Sequence, residues 1–224
     1  DRLRSRGLGD VYKRQIFIFQ MEVSKMNAIL LINITIAFLI GSVPTGYLIA
    51  KKVKGIDIRT KGSGNIGSTN IRRVLGKKLS LITQVIDLSK GLIPVALCPI
   101  LYYKLNINIE YSTYISIIAL STILGHNFTP FLKFKGGKGV NTTIGAFFVI
   151  SPISIIVGVL TYFSLRCITK IVSVRSIALG ITIPITCYFT KEDFPILLAS
   201  IISCLMIIAR HKSNIVRLLN KTEK

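Results

Sequence analysis

Long apolar runs separated by short polar stretches dominate the chain. A helix needs about 20 apolar residues to cross a bilayer. Three runs reach that length, namely Asn27–Ala50, Leu79–Tyr103 and Tyr111–Phe131. The first run is interrupted by Gly41 and Pro44, and the second contains Asp87 and Lys90. The pattern therefore predicts an all-α, polytopic membrane helical bundle.

The apolar segment that follows residue 140 is predicted to form two short helices. A single span over Val140–Phe163 would leave the next basic residues on the side opposite to the other basic stretches. A break at Ser151-Pro152 returns them to the common side, and proline is accepted in the first turn of a helix. Two more spans, Ser176–Phe189 and Phe194–Ala209, complete a predicted bundle of seven helices, with five as the alternative count.

Basic residues are concentrated between the apolar runs. The formal charge is +20 and the mean hydropathy is +0.60. The basic loops are residues 51–78, 132–139, 164–175 and 210–224. Seven helices put all four stretches, the last of which is the carboxyl tail, on one face. The positive-inside rule identifies that face as cytoplasmic, with the amino terminus outside. A soluble nucleic-acid-binding protein would not carry such apolar runs, so we expect no nucleic-acid partner.

The first 20 residues differ in character from the rest. They start without Met and lack an apolar segment suited to a signal peptide. Residues 1–20 are predicted to be non-native or translated from upstream sequence, with a native start at Met21 or Met26. Residues 26–224 are predicted to form a single integral membrane domain. Its four cysteines are scattered without metal-ligand spacing, so we expect no metal site and no redox chemistry at them.

Two glycine-rich basic runs carry the candidate chemistry. The first, KGSGNIGSTNIRR, covers Lys61–Arg73. Glycine lets backbone N–H groups turn toward an anion, and Lys and Arg supply the opposite charge. Residues 68–70 are predicted to cap a helix that runs into Leu79, and Arg73 can contact a phosphate through two N–H groups. A flexible loop whose cations only set the topology is the alternative.

The second run, FKGGKGV, covers Phe134–Val140. Lys138 could supply a point charge to a phosphate held by the glycine backbone. A Walker A motif would need glycine at position 132 and Ser or Thr at position 139. Leu132 and Gly139 stand there instead, so nucleotide hydrolysis is not supported. A tight turn between helices is the alternative.

Few other ionisable residues could take part in catalysis. His211 and Asn214 are three residues apart, which puts them on one face of a helix, although His211 could also be an interfacial histidine. Asp87 and Lys90 are predicted to pair inside the membrane and fix helix packing, or else to order the glycine loop. The His-then-Asp spacing of many acyltransferases and a GxSxG elbow are both absent. An enzyme here would therefore act by positioning substrates rather than through a covalent intermediate.

The chain resembles a known family through five polar motifs in order. These are GSVPTGYLIAK, DIRTKGSGNIGSTNIRRVLGKK, DLSKG, GHNFTPFLKFKGGKGV and HKSNIVRLL. Together, over residues 28–223, they resemble the acyl-phosphate:glycerol-3-phosphate acyltransferase family of bacterial membranes. The resemblance implies a multi-pass protein of the bacterial cytoplasmic membrane with its active site on the cytoplasmic face. It also implies transfer of a fatty acyl group from acyl phosphate to glycerol 3-phosphate, giving lysophosphatidic acid, with no cofactor.

The resemblance also assigns site residues by position. Catalytic roles fall on Ser63, His211 and Asn214. Substrate-binding roles fall on Arg73, Gly136, Gly137, Lys138 and Gly139. We add Gly62, Gly64 and Asn65 as binding residues because the glycines around Ser63 can form a nest of backbone donors beside the Asn65 amide. Glu223 is expected to be structural. The implied partners are the two substrates and the lipid bilayer. Whether a soluble acyl-phosphate-producing enzyme docks on the inner face is left open by the sequence.

Three positions depart from the pattern of that family. Ser68 and Asn141 stand where the family usually has alanine, which should matter little. Arg175 stands where the family usually has a small or apolar residue, so a ligand role for residues 172–176 does not carry over.

The implied substrates lead to a simple mechanism. Acyl phosphate is an activated mixed anhydride, so the protein must hold two phosphates, screen their repulsion and aim a hydroxyl at the carbonyl carbon. The hydroxyl proton could pass to His211 or, as we favour, to a phosphate oxygen of the donor. A transporter of a phosphorylated solute is the competing class. Against it, the glycine-rich runs share one face and the halves show no repeat. A non-catalytic membrane anchor would explain the spans but not the two glycine-rich runs.

Overall fold

The computed structural model describes residue 21 and residues 28–223, and every regular element in that part of the chain is a helix. The helices are α1 (28–42), α2 (Thr45–Lys54), α3 (Ser68–Leu75), α4 (Lys77–Ala96), α5 (Cys98–Lys104), α6 (Tyr111–Asn127), α7 (Val140–Ile150), α8 (Pro152–Ser164), α9 (Val172–Phe189), α10 (Phe194–Arg210) and α11 (Lys212–Leu219). The all-α prediction is confirmed. The segment 1–20, predicted to be non-native, lies outside the described residues.

Several of these helices are long and apolar enough to cross a membrane. Four stretches qualify by length and composition: Ala28–Lys54, Lys77–Lys104, Tyr111–Leu132 and Val172–Phe189. α10 and α11 make a fifth if they are taken as one span bent by 55°. α7 and α8 are apolar but shorter. They are divided at Ser151-Pro152, as predicted, because α7 ends at Ile150 and α8 begins at Pro152.

A buried ionic cluster holds the break between α1 and α2, which falls at Val43-Pro44. Lys90 on α4 donates a hydrogen bond to the Val43 carbonyl oxygen (2.7 Å). Its ammonium lies 2.8 Å from a carboxylate oxygen of Asp87 and 3.3 Å from His126 Nδ1 on α6. A break leaves helical carbonyl groups without partners, and here a buried cation supplies one. The predicted Asp87–Lys90 pair is present, and it joins three helices.

Close backbone contact between α4 and α7 brings the two glycine-rich runs together. A Cβ on Gly91 of α4 would clash with the Thr142 carbonyl oxygen, and one on Gly145 of α7 would clash with the Leu88 carbonyl oxygen. Only glycine allows helices to approach this closely. Since the first run precedes α4 and the second precedes α7, this contact places the runs side by side.

The start of α3 differs from the prediction. Residues 68–70 do not cap a helix that reaches Leu79, because α3 ends at Leu75 and Gly76, with a φ of 93°, separates it from α4. The residue before α3 is Gly67, and no side chain caps its first turn. Asn70 lies within α3 and bonds to the loop instead.

Two further boundaries also differ. α9 begins at Val172 rather than at Ser176, so Arg175 lies in the first turn of a helix rather than in a loop. The second apolar run is divided between α4 and α5 at Leu97, although α4, α5 and the residue between them together keep the length of one span.

Candidate active site

The side chain of Asn70 organises the first glycine-rich run. It is only 1 % exposed. Its Oδ1 accepts a hydrogen bond from the backbone N–H of Ser63 (2.8 Å). Its Nδ2 faces three carbonyl oxygens, those of Ile58 (3.3 Å), Lys61 (3.0 Å) and Asn65 (2.8 Å). Both donor hydrogens of this amide and one of its two acceptor sites are therefore used in fixing the loop against α3.

The glycines of this run form the turn that presents Ser63. Gly62 and Gly64 have φ values of 58° and 72°, in the left-handed region that glycine adopts without strain. The side chain of Asn65 accepts the N–H of Gly67 (2.8 Å) and closes the following turn. Ser63 is left exposed at the tip of the loop.

The second glycine-rich run is held between α6 and α10. The N–H groups of Gly136 and Gly137 donate to the carbonyl oxygens of Asn127 (3.2 Å) and His126 (3.0 Å). Their own carbonyl oxygens accept from Arg210, at 2.7 Å and 2.9 Å respectively. The backbone of both glycines is thus already paired within the protein. What this run offers a ligand is the side chain of Lys138 rather than these two N–H groups.

Lys138 begins a chain of hydrogen bonds that crosses the site. Its ammonium donates to Asn214 Oδ1 (2.5 Å), and Asn214 Nδ2 donates to Glu223 Oε1 (2.6 Å). Glu223 also accepts from the Ser173 hydroxyl (3.2 Å) and from Arg217 Nε (2.6 Å). Both ends of the Asn214 amide are therefore in use. Glu223 makes the contacts of a structural residue, since it ties α9 and α11 to the lysine.

The environment of Lys138 sets its charge state. Burial lowers the pKa of its ammonium to about 8, because desolvation disfavours the charged form. The nearby carboxylate of Glu223 opposes this shift, whereas Arg217, Arg73 and Arg210 add to it. Lys138 is consequently charged at neutral pH and loses its charge at only mildly alkaline pH.

His211 lies at the bend between α10 and α11 and is 2 % exposed. Its Nδ1 is 2.8 Å from the carbonyl oxygen of Ile207, which can only accept a hydrogen bond. A neutral His211 imidazole therefore carries its proton on Nδ1 and presents Nε2 as an acceptor. The Asn214 N–H donates to the His211 carbonyl oxygen (2.8 Å), and both side chains line one cavity. The predicted shared face is thus present.

Two cavities meet at the glycine-rich runs. The smaller, of about 560 Å³, has a strongly cationic lining that includes Arg59, Lys135, Arg210 and Arg217. The larger, of about 770 Å³, extends from Arg73 and His211 to an apolar wall on α7, α8 and α9. That wall includes Ile144, Val159, Phe163 and Leu179. Four residues line both cavities: Ser63, Asn65, Lys138 and Asn214.

Most of the predicted site residues lie at these cavities. Those that line one or both are Ser63, Gly64, Asn65, Arg73, Gly136, Lys138, Gly139, His211 and Asn214. Gly62 and Gly137 line neither, because Gly62 packs against Asn70 and Gly137 against the imidazole of His126. Within residues 28–223, no group of three or more His, Cys, Asp and Glu side chains could hold a metal ion.

Sequence reasoning missed two residues that shape the site. Asn70 reads as part of a helix cap because it follows Ser and Thr, and nothing local reveals its bonds to the preceding loop. Arg210, which holds both glycine carbonyls, directly precedes His211. In the sequence, only its place directly before the final polar motif marks it.

Two departures from the family pattern contact each other. Asn141 Nδ2 on α7 donates to the Ser68 hydroxyl on α3 (3.2 Å), and both residues line the larger cavity. Alanine at either position would remove this hydrogen bond. The two residues therefore form a link across the site, although each was expected to matter little.

Comparison with known proteins agrees with these observations. A family model described as "Glycerol-3-phosphate acyltransferase" matches residues 31–221. A curated glycerol-3-phosphate acyltransferase of Clostridium acetobutylicum is 55% identical over 196 residues, covering 88% of this chain and 99% of that protein. One from Fusobacterium nucleatum is 39% identical over 190 residues, covering 85% of this chain and 94% of that protein.

Two solved structures share the fold. Both are crystal structures of PlsY (YgiH), an integral membrane glycerol 3-phosphate acyltransferase. The glycerol 3-phosphate form gives a TM-score of 0.79 at 34% identity, covering 87% of this chain and 94% of that one. The lysophosphatidic acid form gives a TM-score of 0.76 at 33% identity, with the same coverage.

Proposed function

Because the chain belongs to the glycerol-3-phosphate acyltransferase family, we propose that it transfers a fatty acyl group from acyl phosphate to glycerol 3-phosphate. The product would be lysophosphatidic acid, a precursor in phospholipid biosynthesis. The observation that carries this proposal is the meeting of two unlike cavities at Ser63, Asn65, Lys138 and Asn214. A cationic cavity suits a small phosphate ester, and a cavity with an apolar wall suits an acyl chain.

The reaction needs no protein nucleophile. A hydroxyl oxygen of glycerol 3-phosphate attacks the carbonyl carbon of acyl phosphate, forming the ester C–O bond. The C–O bond to phosphate breaks, and inorganic phosphate leaves with the electron pair. The hydroxyl proton passes to a phosphate oxygen of the donor, whose second pKa is about 6 by analogy with phosphoserine. The protein contributes by positioning both substrates and screening their charges.

The hydrogen bonds of the site support a division of roles. Lys138 and Arg73 hold phosphate, with Asn214 and Glu223 fixing the lysine rather than contacting the acceptor directly. Asn214 thus acts as a positioning residue. His211 orients the glycerol hydroxyl through Nε2, which is the more basic nitrogen of the tautomer that its contact with Ile207 selects.

Ser63 is proposed to contact the donor. It lies at the exposed tip of its loop and lines both cavities. The glycines beside it serve mainly to shape the two runs, since the N–H groups of Gly136 and Gly137 are paired with α6.

The membrane arrangement is part of the same proposal. Seven helices, counting α7 and α8 as short spans, would put every basic loop and the site on the cytoplasmic face of a bacterial inner membrane, with the amino terminus outside. A soluble enzyme that produces acyl phosphate could dock on that basic face. Cysteines at Lys54, Lys135 and Lys212, in a chain without the native four, should be labelled from the cytoplasmic side only. One at Asn108 should be labelled from outside, and outside labelling at position 135 would overturn the single-face site.

The donor is tested by reconstitution. Purified protein in liposomes should form lysophosphatidic acid from palmitoyl phosphate and labelled glycerol 3-phosphate, and should not do so from palmitoyl-CoA. Equal rates with the two donors would overturn the donor assignment. Uptake of glycerol 3-phosphate into sealed vesicles without product formation would favour the transporter alternative instead.

A further inference from the structure

A buried arginine in the wall of the larger cavity has no anionic partner among residues 28–223. Arg175 on α9 is 7 % exposed and lines this cavity. One guanidinium nitrogen donates to the Lys170 carbonyl oxygen (3.3 Å), and the guanidinium carbon lies 4.7 Å from the centre of the Tyr162 ring. Its Nε–H is buried without an acceptor among residues 28–223. The ion pairs in that range involve Asp57, Asp87 and Glu223 with other cations.

Such an arrangement is unfavourable unless something else binds there. Removing a cation from water is costly, and stacking on an aromatic ring offsets only part of that cost. Two more cations, Arg166 and Lys170, line the same cavity and are exposed. Its two carboxylates are already engaged, Asp87 with Lys90 and Glu223 with Arg217. On the α8–α9 side, where Glu223 accepts from Ser173, three cations therefore share the cavity wall with one carboxylate that already pairs with Arg217.

We propose that Arg175, with Arg166 and Lys170, forms an anion subsite that binds the phosphate of the acyl donor. This inference rests on the proposed function, which requires two phosphates in one site. The cations of the smaller cavity, together with Lys138, which lines both cavities, are left to the acceptor phosphate. Separate cation sets would hold two anions apart while their reacting ends meet.

The surroundings of Arg175 select an anion that carries an acyl chain. Tyr162 stacks on the guanidinium, and Phe163 and Leu179 line the same cavity. An anion at Arg175 would therefore continue into an apolar wall. Acyl phosphate, lysophosphatidic acid and a fatty acid carboxylate all share this chemistry, so the experiment must tell them apart.

The kinetic test compares Arg175→Met with Lys54→Met, which removes one charge from an exposed residue that lines neither cavity. Loss of a charge-assisted phosphate contact should raise KM for palmitoyl phosphate about ten- to a hundredfold. KM for glycerol 3-phosphate should stay within about twofold, and Lys54→Met should resemble the wild type. A rise confined to KM for glycerol 3-phosphate, or no change in either, would overturn the subsite.

A binding test keeps this inference separate from the assumed reaction. A palmityl phosphonate that cannot transfer its chain, palmitate, and lysophosphatidic acid are each titrated against wild type and Arg175→Met. If Arg175→Met binds only the phosphonate more weakly than the wild type does, the donor-phosphate subsite is supported, even if the wild type proves inactive with acyl phosphate. Equally weaker binding of all three ligands, or weaker binding of lysophosphatidic acid or palmitate alone, contradicts it.

A conservative variant serves as the control for a loss of folding. If Arg175→Met does not fold, Arg175→Lys retains the charge and loses the planar fork, and should raise the dissociation constant of the phosphonate severalfold. An unchanged dissociation constant in a folded Arg175→Lys, with unchanged KM for the donor, would leave Arg175 as a packing residue and refute the proposal.

Discussion

The charge of Lys138 should give the enzyme an alkaline limit at an unusually low pH for a lysine. Burial lowers the pKa of this ammonium to about 8. In the proposed mechanism the charged form binds phosphate, so activity should be full below that value and should fall as pH rises through it. The decline should appear in kcat/KM for glycerol 3-phosphate, which reports the free enzyme, more than in kcat, because bound phosphate restores the ammonium.

The size of the effect follows from the same pKa. With a pKa of about 8, roughly nine tenths of the ammonium is present at pH 7 and about one tenth at pH 9. The value of kcat/KM should therefore drop about tenfold between those pH values, as that charged fraction does. Glycerol 3-phosphate, with a second pKa of about 6 by analogy with phosphoserine, is already dianionic over most of this range.

The assay is formation of lysophosphatidic acid from labelled glycerol 3-phosphate between pH 6.5 and 9.5, corrected for donor hydrolysis without enzyme. Lys138→Arg is the matched control, since guanidinium stays charged throughout and should flatten the alkaline limb. Lys138→Met should be about ten- to a hundredfold less active at pH 7, from loss of roughly 1.5–3 kcal/mol of contact energy, with no decline of its own. If Lys138→Met kept the alkaline decline, another group would be titrating and the argument would be wrong.

Three further predictions concern the loops and the link across the site. Asn70→Asp, which keeps the shape but cannot donate to three carbonyls, should lower the thermal midpoint and reduce kcat/KM at least tenfold, by about 1.4 kcal/mol or more. Unchanged values would show that the loop folds without that amide. Ser63→Ala should reduce activity about tenfold or more while leaving thermal unfolding unchanged, because an exposed hydroxyl supports no core. A double-mutant cycle of Ser68→Ala and Asn141→Ala should give a coupling energy of about 0.5–1.5 kcal/mol in unfolding, and additivity would mean that their hydrogen bond contributes nothing.

The helices were largely predictable because membrane spans are a local property of the sequence. The structure has the predicted helix breaks at Pro44 and before Pro152. Both were predictable because proline has no N–H to donate within a helix. The pairing of Asp87 with Lys90 followed from their spacing and depth. The early start of α9 was missed because Arg175 reads as loop charge, whereas in the structure its guanidinium is buried against Tyr162.

The site was predictable in its residue types but not in its bonding. The glycine, lysine and asparagine residues of the two runs pointed to a phosphate site. The N–H groups of Gly136 and Gly137, however, donate to carbonyl groups of α6 and do not face a ligand. Such partners depend on which helix end lies beside the loop. Contacts such as Lys138 with Asn214 join residues 76 positions apart, and only tertiary packing decides them.

The meeting of a cationic cavity with one that has an apolar wall has a consequence for kinetic order. Phe163, on the wall of the larger cavity, is 56% exposed on the apolar surface, so that side can exchange chains with lipid, while the smaller cavity is lined largely by charged and polar groups. Two reactants that enter from different phases need not pass each other, and either can bind first. The ternary complex should therefore assemble in random order. Inorganic phosphate would return to water while lysophosphatidic acid diffuses into the bilayer, and this partition of the products would itself draw the reaction forward.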